Sequence, residues 1–194
     1  MINLNEVKEG GISIFNNGEA GAVRATLSDV SKKQPSDPDN APDYKLMFQD
    51  KNGKMDLGIY VPSDDDEKRA ARELSRLMHI GRAVMGKDYQ FPEVSSYEDA
   101  YKKVMGLIKK EGKDKEFNVF VCYGYAGRPS MYLGLRYFNF IENGSVELEN
   151  TTLSASPSDV LKRPSPDEDS SSSNELEDME DDLTSNDDEL FDEL

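Results

Sequence analysis

Hydrophobic positions change their period along the chain, and those changes divide it into elements. Over residues 20–30 apolar and polar residues alternate, with Val23, Ala25 and Leu27 separated by Arg24 and Thr26, which predicts a half-buried strand. Residues 32–43 hold Pro35, Pro38 and Pro42 among Ser, Asp and Asn, the composition of a long polar loop. Two short runs, 44–50 and 55–61, then flank Lys51-Asn52-Gly53-Lys54. Asn-Gly is a strong hairpin signal because a type I′ turn needs positive φ at both central residues. With Asn52-Gly53 as the turn, Phe48 pairs with Leu57, Leu46 with Ile59 and Lys45 with Tyr60. The apolar pairs share one face, and Lys45, Met47, Gly58 and Tyr60 share the other.

The period then lengthens. Ser63 followed by Asp64-Asp65-Asp66 supplies a capping hydroxyl and carboxylates for the positive end of a helix dipole. Ala70, Leu74, Leu77, Met78, Gly81, Val84 and Met85 recur at helical spacing as far as about Gly86. A second helix is predicted over 96–110, with Tyr97, Tyr101, Val104, Met105, Leu107 and Ile108 inward and a stop at Gly112. Two long strands, 117–125 and 131–141, follow. Their hairpin pairs Val121 with Leu135, Tyr123 with Leu133 and Val119 with Tyr137 on the core face, and puts Phe120 opposite Arg136 and Cys122 opposite Gly134 on the other. A short edge strand is expected over 146–148. From about Ser154, Ser, Pro, Asp and Glu dominate, so the predicted division is a core of residues 1–153 and a disordered acidic tail of residues 154–194.

The predicted order is strand, long loop, strand, turn, strand, helical segment, strand, loop, strand. That is the order of an OB-fold, a five-stranded Greek-key barrel, mainly β, here with two helices where one is usual; an α+β sandwich is the alternative. OB-folds bind oligonucleotides or sugars across strands two and three, between the first and last loops. The registers place Arg24, Lys45, Tyr60, Phe120, Tyr132, Arg136 and Phe138 on that outward face, Lys32 and Lys33 in the first loop and Arg128 in the last. Cations that follow phosphates, with exposed rings that stack on bases, are what a single strand needs. Gly58, Gly124 and Gly134 leave room for a base to lie flat.

Charge first opposes this reading. The 194 residues carry 23 Lys and Arg against 39 Asp and Glu, a formal net of -16. Residues 164–194 hold 14 of those acids and no base, leaving 25 acids against 23 bases over residues 1–163. The acidity is mostly a tail, and the core is nearly neutral. One cysteine, Cys122, and one histidine, His79, exclude an internal disulfide framework and a structural zinc site. The first residues lack the basic and apolar regions of a secretory signal, and no apolar stretch reaches membrane-spanning length, so a cytoplasmic protein with no membrane partner is expected.

Other motifs resolve without chemistry. Residues 81–88 nearly spell a phosphate-binding loop, but Asp88 stands where the magnesium-binding hydroxyl is needed and helix precedes it. Residues 50–53 begin like a calcium loop without its later glycine and glutamate. His79 and Cys122 lack a third orienting group, and the three aspartates at 64–66 suit capping better than metal binding. No catalytic residue, metal or cofactor is expected.

The tail ends Leu190-Phe191-Asp192-Glu193-Leu194, so apolar residues interrupt the charge at its tip. A core with aromatic and basic strands followed by such a tail resembles the bacteriophage single-stranded DNA-binding proteins of OB-fold type. The resemblance implies a non-enzymatic protein that coats DNA during replication, recombination and repair. It also implies that the tail tip, here Leu190, Phe191 and Leu194, docks on a polymerase, primase, helicase or nuclease, and it admits a homodimer. This chain departs from the pattern in lacking tryptophan and in placing Phe191 three residues from its end. A flexible tail of about 40 residues keeps its carboxylates near the core at roughly millimolar effective concentration, so removing it after about Ser156 is expected to tighten single-strand binding. An acidic interaction module or DNA mimic that occupies another protein's DNA site is the alternative.

Overall fold

The computed structural model describes residues 14–63 and 67–165. Asp64, Asp65 and Asp66 of the expected helix cap, and the tip residues Leu190, Phe191 and Leu194, lie outside the described residues. The elements run β1 (Gly21–Lys32), β2 (Tyr44–Gln49), β3 (Lys54–Ile59), α1 (Glu67–Met85), α2 (Tyr97–Gly112), β4 (Glu116–Tyr125), β5 (Arg128–Leu135) and β6 (Ile141–Asn143), with short 3-10 turns at Phe15–Gly18 and Leu148–Asn150. The strands form one antiparallel sheet in the order β3-β2-β1-β4-β5, and β6 pairs with β4. β1 is central, bonded to β2 on one edge and β4 on the other. β3 and β5 end the sheet path, so the expected barrel is not closed.

One face of the sheet carries the core. Ala25, Leu27, Val30, Leu46, Phe48, Leu57, Ile59, Phe117, Val119 and Val121 are buried against Leu77, Ile80 and Val84 of α1 and Tyr101, Val104, Met105 and Ile108 of α2. Full burial of each such side chain contributes about 1.5–3 kcal/mol. Ala25, Leu27 and Val30 break strict alternation because β1 bulges between Leu27 and Asp29, which returns Val30 to the inner face. The helices approach closely: a Cβ on Gly81 would lie 3.3 Å from Val104 of α2 and 2.9 Å from the ring of Phe91 in the intervening loop, so α1 accepts that ring only at a glycine. α2 begins at Ser96, whose hydroxyl accepts from the Asp99 amide at 3.2 Å.

The first hairpin corrects the expected register. Phe48 pairs with Met55, Leu46 with Leu57 and Lys45 with Gly58, two residues from the expected partners. The cause is Asp50, whose Oδ1 accepts from the amides of Asn52 at 2.7 Å and Gly53 at 2.6 Å and centres the turn on Lys51-Asn52 without positive φ. A slip of two residues keeps every side chain on its face, so Leu46, Phe48, Leu57 and Ile59 remain inward.

The last hairpin follows expectation at Val121 with Leu135 and Cys122 with Gly134, then shifts so that Gly124 faces Pro129. Gly124 has φ +84, and a Cβ there would overlap the Arg128 carbonyl. The long strand expected over 131–141 is two strands. Arg136 donates its amide to the Phe120 carbonyl and Phe120 donates to that of Phe140, so residues 137–139 loop out between β5 and β6. Val119 therefore pairs with Ile141, not Tyr137. Residues 146–148 form a loop entering a 3-10 turn instead of an edge strand.

The expected boundary after Leu153 falls inside an ordered segment. Leu153 is buried on Phe120 and Cys122, on the sheet face opposite the helices. Residues 158–160 continue along β4: Tyr123 donates to the Val160 carbonyl, Val160 to Gly124 and Ala126 to Ser158. This strap takes the edge of β4 that β1 leaves free beyond Gly21.

Candidate nucleic-acid interface

A groove of about 1950 Å³ runs between α1, the open edge of β5 and the strap. Four of the ten residues expected to bind nucleic acid line it together: Arg128, Tyr132, Arg136 and Phe138. Tyr132 is 80% exposed, Phe138 is 46% exposed, and the Arg128 side chain is at the surface.

The other six are elsewhere. Arg24 is a structural clamp, donating from Nη1 to the Gly144 carbonyl at 2.6 Å and from Nη2 to that of Val146 at 2.8 Å, beside Glu116 and Glu147. Phe120, expected to be exposed, is buried beneath Leu153. Lys32 ends β1, and Lys33 donates to the Asp39 carbonyl within the 33–43 loop. Lys45 and Tyr60 are exposed on the β2–β3 arm of the sheet, outside the groove. Near that arm a smaller hollow carries Asp50, Asp114 and Glu116 among its lining residues.

Helix α1 supplies what the strand registers missed. Arg69, Arg72 and Arg82, with Lys87 just after the helix, are exposed and line the groove. Their signal was partly present as basic residues at 69, 72 and 76, steps of three and four that keep one stripe of a helix, with Arg82 further round the same helix. A helix assigned only to the core hides such a stripe. Arg76 is its inward member, buried with its guanidinium 4.3 Å from the Tyr137 ring and 5.6 Å from that of Phe140.

Charge in the groove is mostly positive. Among the described residues lining it, six carry positive charge (Arg69, Arg72, Arg82, Lys87, Arg128 and Arg136) and three carry negative charge (Glu73, Glu142 and Asp159). Each acid is engaged internally. Glu73 accepts the Tyr137 hydroxyl. Glu142 accepts from the Thr151 and Thr152 hydroxyls and the Asn118 amide. Burial opposes its ionisation, but those donors hold its carboxyl below the ordinary value. Asp159, whose side chain is 4% exposed, pairs with Arg136 at 2.9 Å.

Phe138 sits at the tip of the 137–139 loop, and the loop is fastened from both sides. Arg136 donates from Nε to the Phe138 carbonyl at 3.0 Å and from Nη2 to the Asn139 carbonyl at 2.6 Å, holding Asn139 at φ +46. Tyr137 packs edge-on to Phe138 with ring centres 4.5 Å apart and is itself anchored to α1 through Glu73 and Arg76. The exposed ring therefore stands on a preorganised support.

His79 and Cys122 are structural neighbours of the groove. The His79 ring meets Phe140 edge-on at 6.1 Å, and burial lowers its pKa. Burial, reinforced by Asp159, raises that of the Cys122 thiol, the opposite of an activated nucleophile. No helix among the described residues is long and apolar enough to cross a membrane. No family model matches the chain, and no curated protein matches it.

Proposed function

We propose that the protein is a non-enzymatic single-stranded DNA-binding protein whose nucleic-acid path is the groove between α1 and β5. The observation that carries this is the groove itself: six cations against three acids, with the acids and Arg136 engaged internally and Tyr132 and Phe138 exposed within it, in a chain of net charge -16. Cations spaced along a groove follow a phosphate backbone, while rings accept bases without demanding a sequence. The strand order adds support. A first strand between the second and fourth, with the third and fifth at the edges, is the order that an OB-type barrel would have if opened between its third and fifth strands. The acidic extension fits the bacteriophage family's use of such tails to engage replication proteins.

The test is anisotropy of labelled oligo(dT) with the full chain across a salt series. Arg72→Ala/Arg82→Ala/Lys87→Ala should weaken binding at least about tenfold and flatten the salt slope by up to about 2, at about 0.7 per phosphate contact. Lys32→Ala/Lys45→Ala should leave both within about twofold. Absence of oligo(dT) binding by the unaltered chain at low salt would reject the proposal and favour an acidic partner of another protein.

A further inference from the structure

The best-made nucleotide-binding chemistry in the molecule is covered. Beneath the strap the Arg136 guanidinium lies 4.3 Å from the Phe120 ring, a cation and an aromatic face stacked together. Small residues surround them: Ala22 packs against this cluster, and Gly134 sits opposite Cys122 on the adjoining strand. Arg136 donates from Nη1 to the Ser154 carbonyl at 2.8 Å and to Asp159 Oδ2 at 2.9 Å. The same oxygen accepts from the Ser156 amide at 2.7 Å. A carboxylate thus holds the guanidinium at the position a phosphate would take.

The cover itself is lightly held. Residues 154–158 are exposed, and the apolar anchor is Leu153. The remaining attachments are the bonds of Arg136 to Asp159 and to the Ser154 carbonyl and three backbone hydrogen bonds to β4. Segments with few buried apolar contacts open at small cost relative to global unfolding. Ser154, Ala155, Ser156, Ser158 and Asp159 also line the groove, so opening them widens it beside Cys122 and extends it directly over Phe120.

We infer that residues 153–160 are a displaceable strap over a further nucleotide subsite, in which Phe120 stacks on a base and Arg136 exchanges the Asp159 carboxylate for a backbone phosphate. The inference rests on the nucleic-acid reading of the groove. The strap competes with the ligand, so apparent affinity is set partly by the fraction of molecules in which it is open.

Cys122 gives a direct readout, being the chain's one thiol and buried under Leu153. Its reaction rate with a disulfide reagent in the free full chain reports strap opening, and anisotropy with oligo(dT) reports affinity. Asp159→Asn should raise both, with affinity rising by up to the same factor as the thiol rate and at least about threefold. Leu153→Ala loosens the strap without changing charge and should move both in the same direction. Faster thiol reaction with unchanged affinity in both variants would overturn the inference and leave the groove reading intact. Failure of the unaltered chain to bind oligo(dT) would remove the groove reading instead. A measurement on the unaltered protein covers variants that fail to fold. At saturating oligo(dT) the Ala126 and Val160 amides, bonded across the strap in the free state, should exchange faster, and unchanged or slower exchange would overturn the inference.

Discussion

The guanidinium of Arg76 lies 4.3 Å from the centre of the Tyr137 ring, joining the middle of α1 to the loop that separates β5 from β6. Glu73, one turn earlier, takes the hydroxyl of the same tyrosine. Tyr137→Phe keeps the stack and removes the hydroxyl. It should cost about 1.5–3 kcal/mol, the worth of a hydrogen bond to a charged group, measured by urea unfolding. A loss below about 0.5 kcal/mol, the scatter of neutral surface changes, would show that Glu73 does not hold this loop.

Tyr132 and Phe138 separate binding from folding. Tyr132, 80% exposed, should tolerate alanine with stability unchanged within about 0.5 kcal/mol, while oligo(dT) affinity falls by the 1–3 kcal/mol, roughly 5- to 150-fold, of a lost stacking ring. Phe138→Ala should show the same loss of affinity. Equal affinity of both variants and the unaltered chain would place the bases elsewhere.

Arg24 should behave in the opposite way. Its guanidinium ties two carbonyls in residues 144–146 to β1. Arg24→Ala should destabilise the fold by about 2 kcal/mol through those unpaired acceptors and leave the salt slope of oligo(dT) binding unchanged. A flattened slope with unchanged stability would return Arg24 to the binding surface.

The sequence made faces legible more readily than partners. Leu46, Phe48, Leu57 and Ile59 share a face because strand side chains alternate with period two, and a slip of two residues conserves that alternation. The register depended on an Asp50 carboxylate reaching two amides, a local competition that the Asn-Gly pair obscures. At the candidate site, Arg128, Tyr132, Arg136 and Phe138 were legible because they share one hairpin. Arg69, Arg72 and Arg82 come from an element distant in sequence, and only the fold brings them alongside. Phe120 and Arg136 were placed on the right face, but what covers that face comes from residues with the composition of a disordered tail.

His79 is the chain's only histidine, so its ring signals are unambiguous in a pH titration by NMR. Burial first, then the nearby Arg136 and Arg82 charges, lower its pKa, against an opposing hydrogen bond with the Ile141 backbone. The midpoint should therefore lie below the ordinary 6.5. The sign follows: with the folded value depressed, this residue's contribution to stability is fully present above the unfolded value and is lost as pH falls through the folded one. A midpoint at or above 6.5 would mean that the ring is solvated.

Removal of the acidic extension has a correct cutting point. Ending the chain after Ser156 deletes Ser158, Asp159 and Val160, and with them the bonds to Ala126, Arg136 and Tyr123. Ending it after Ser165 removes only the 14 carboxylates of residues 167–193 and spares Asp159 and those bonds. The longer product should bind oligo(dT) more tightly than the full chain, most clearly at low salt. Equal affinity across the salt series would show that the extension does not compete with DNA.

The pairing of Gly21 with Val121 joins residues one hundred positions apart, and β4 draws β1, β5, β6 and the strap to itself. Loop closure must be met before such distant pairings stabilise anything, so assembly should be slow and late, after the β2–β3 hairpin and the two helices have formed locally. Until β4 is synthesised, β1 lacks the neighbour on one edge. That interval on the ribosome is when this chain is most open to pairing with another copy of itself.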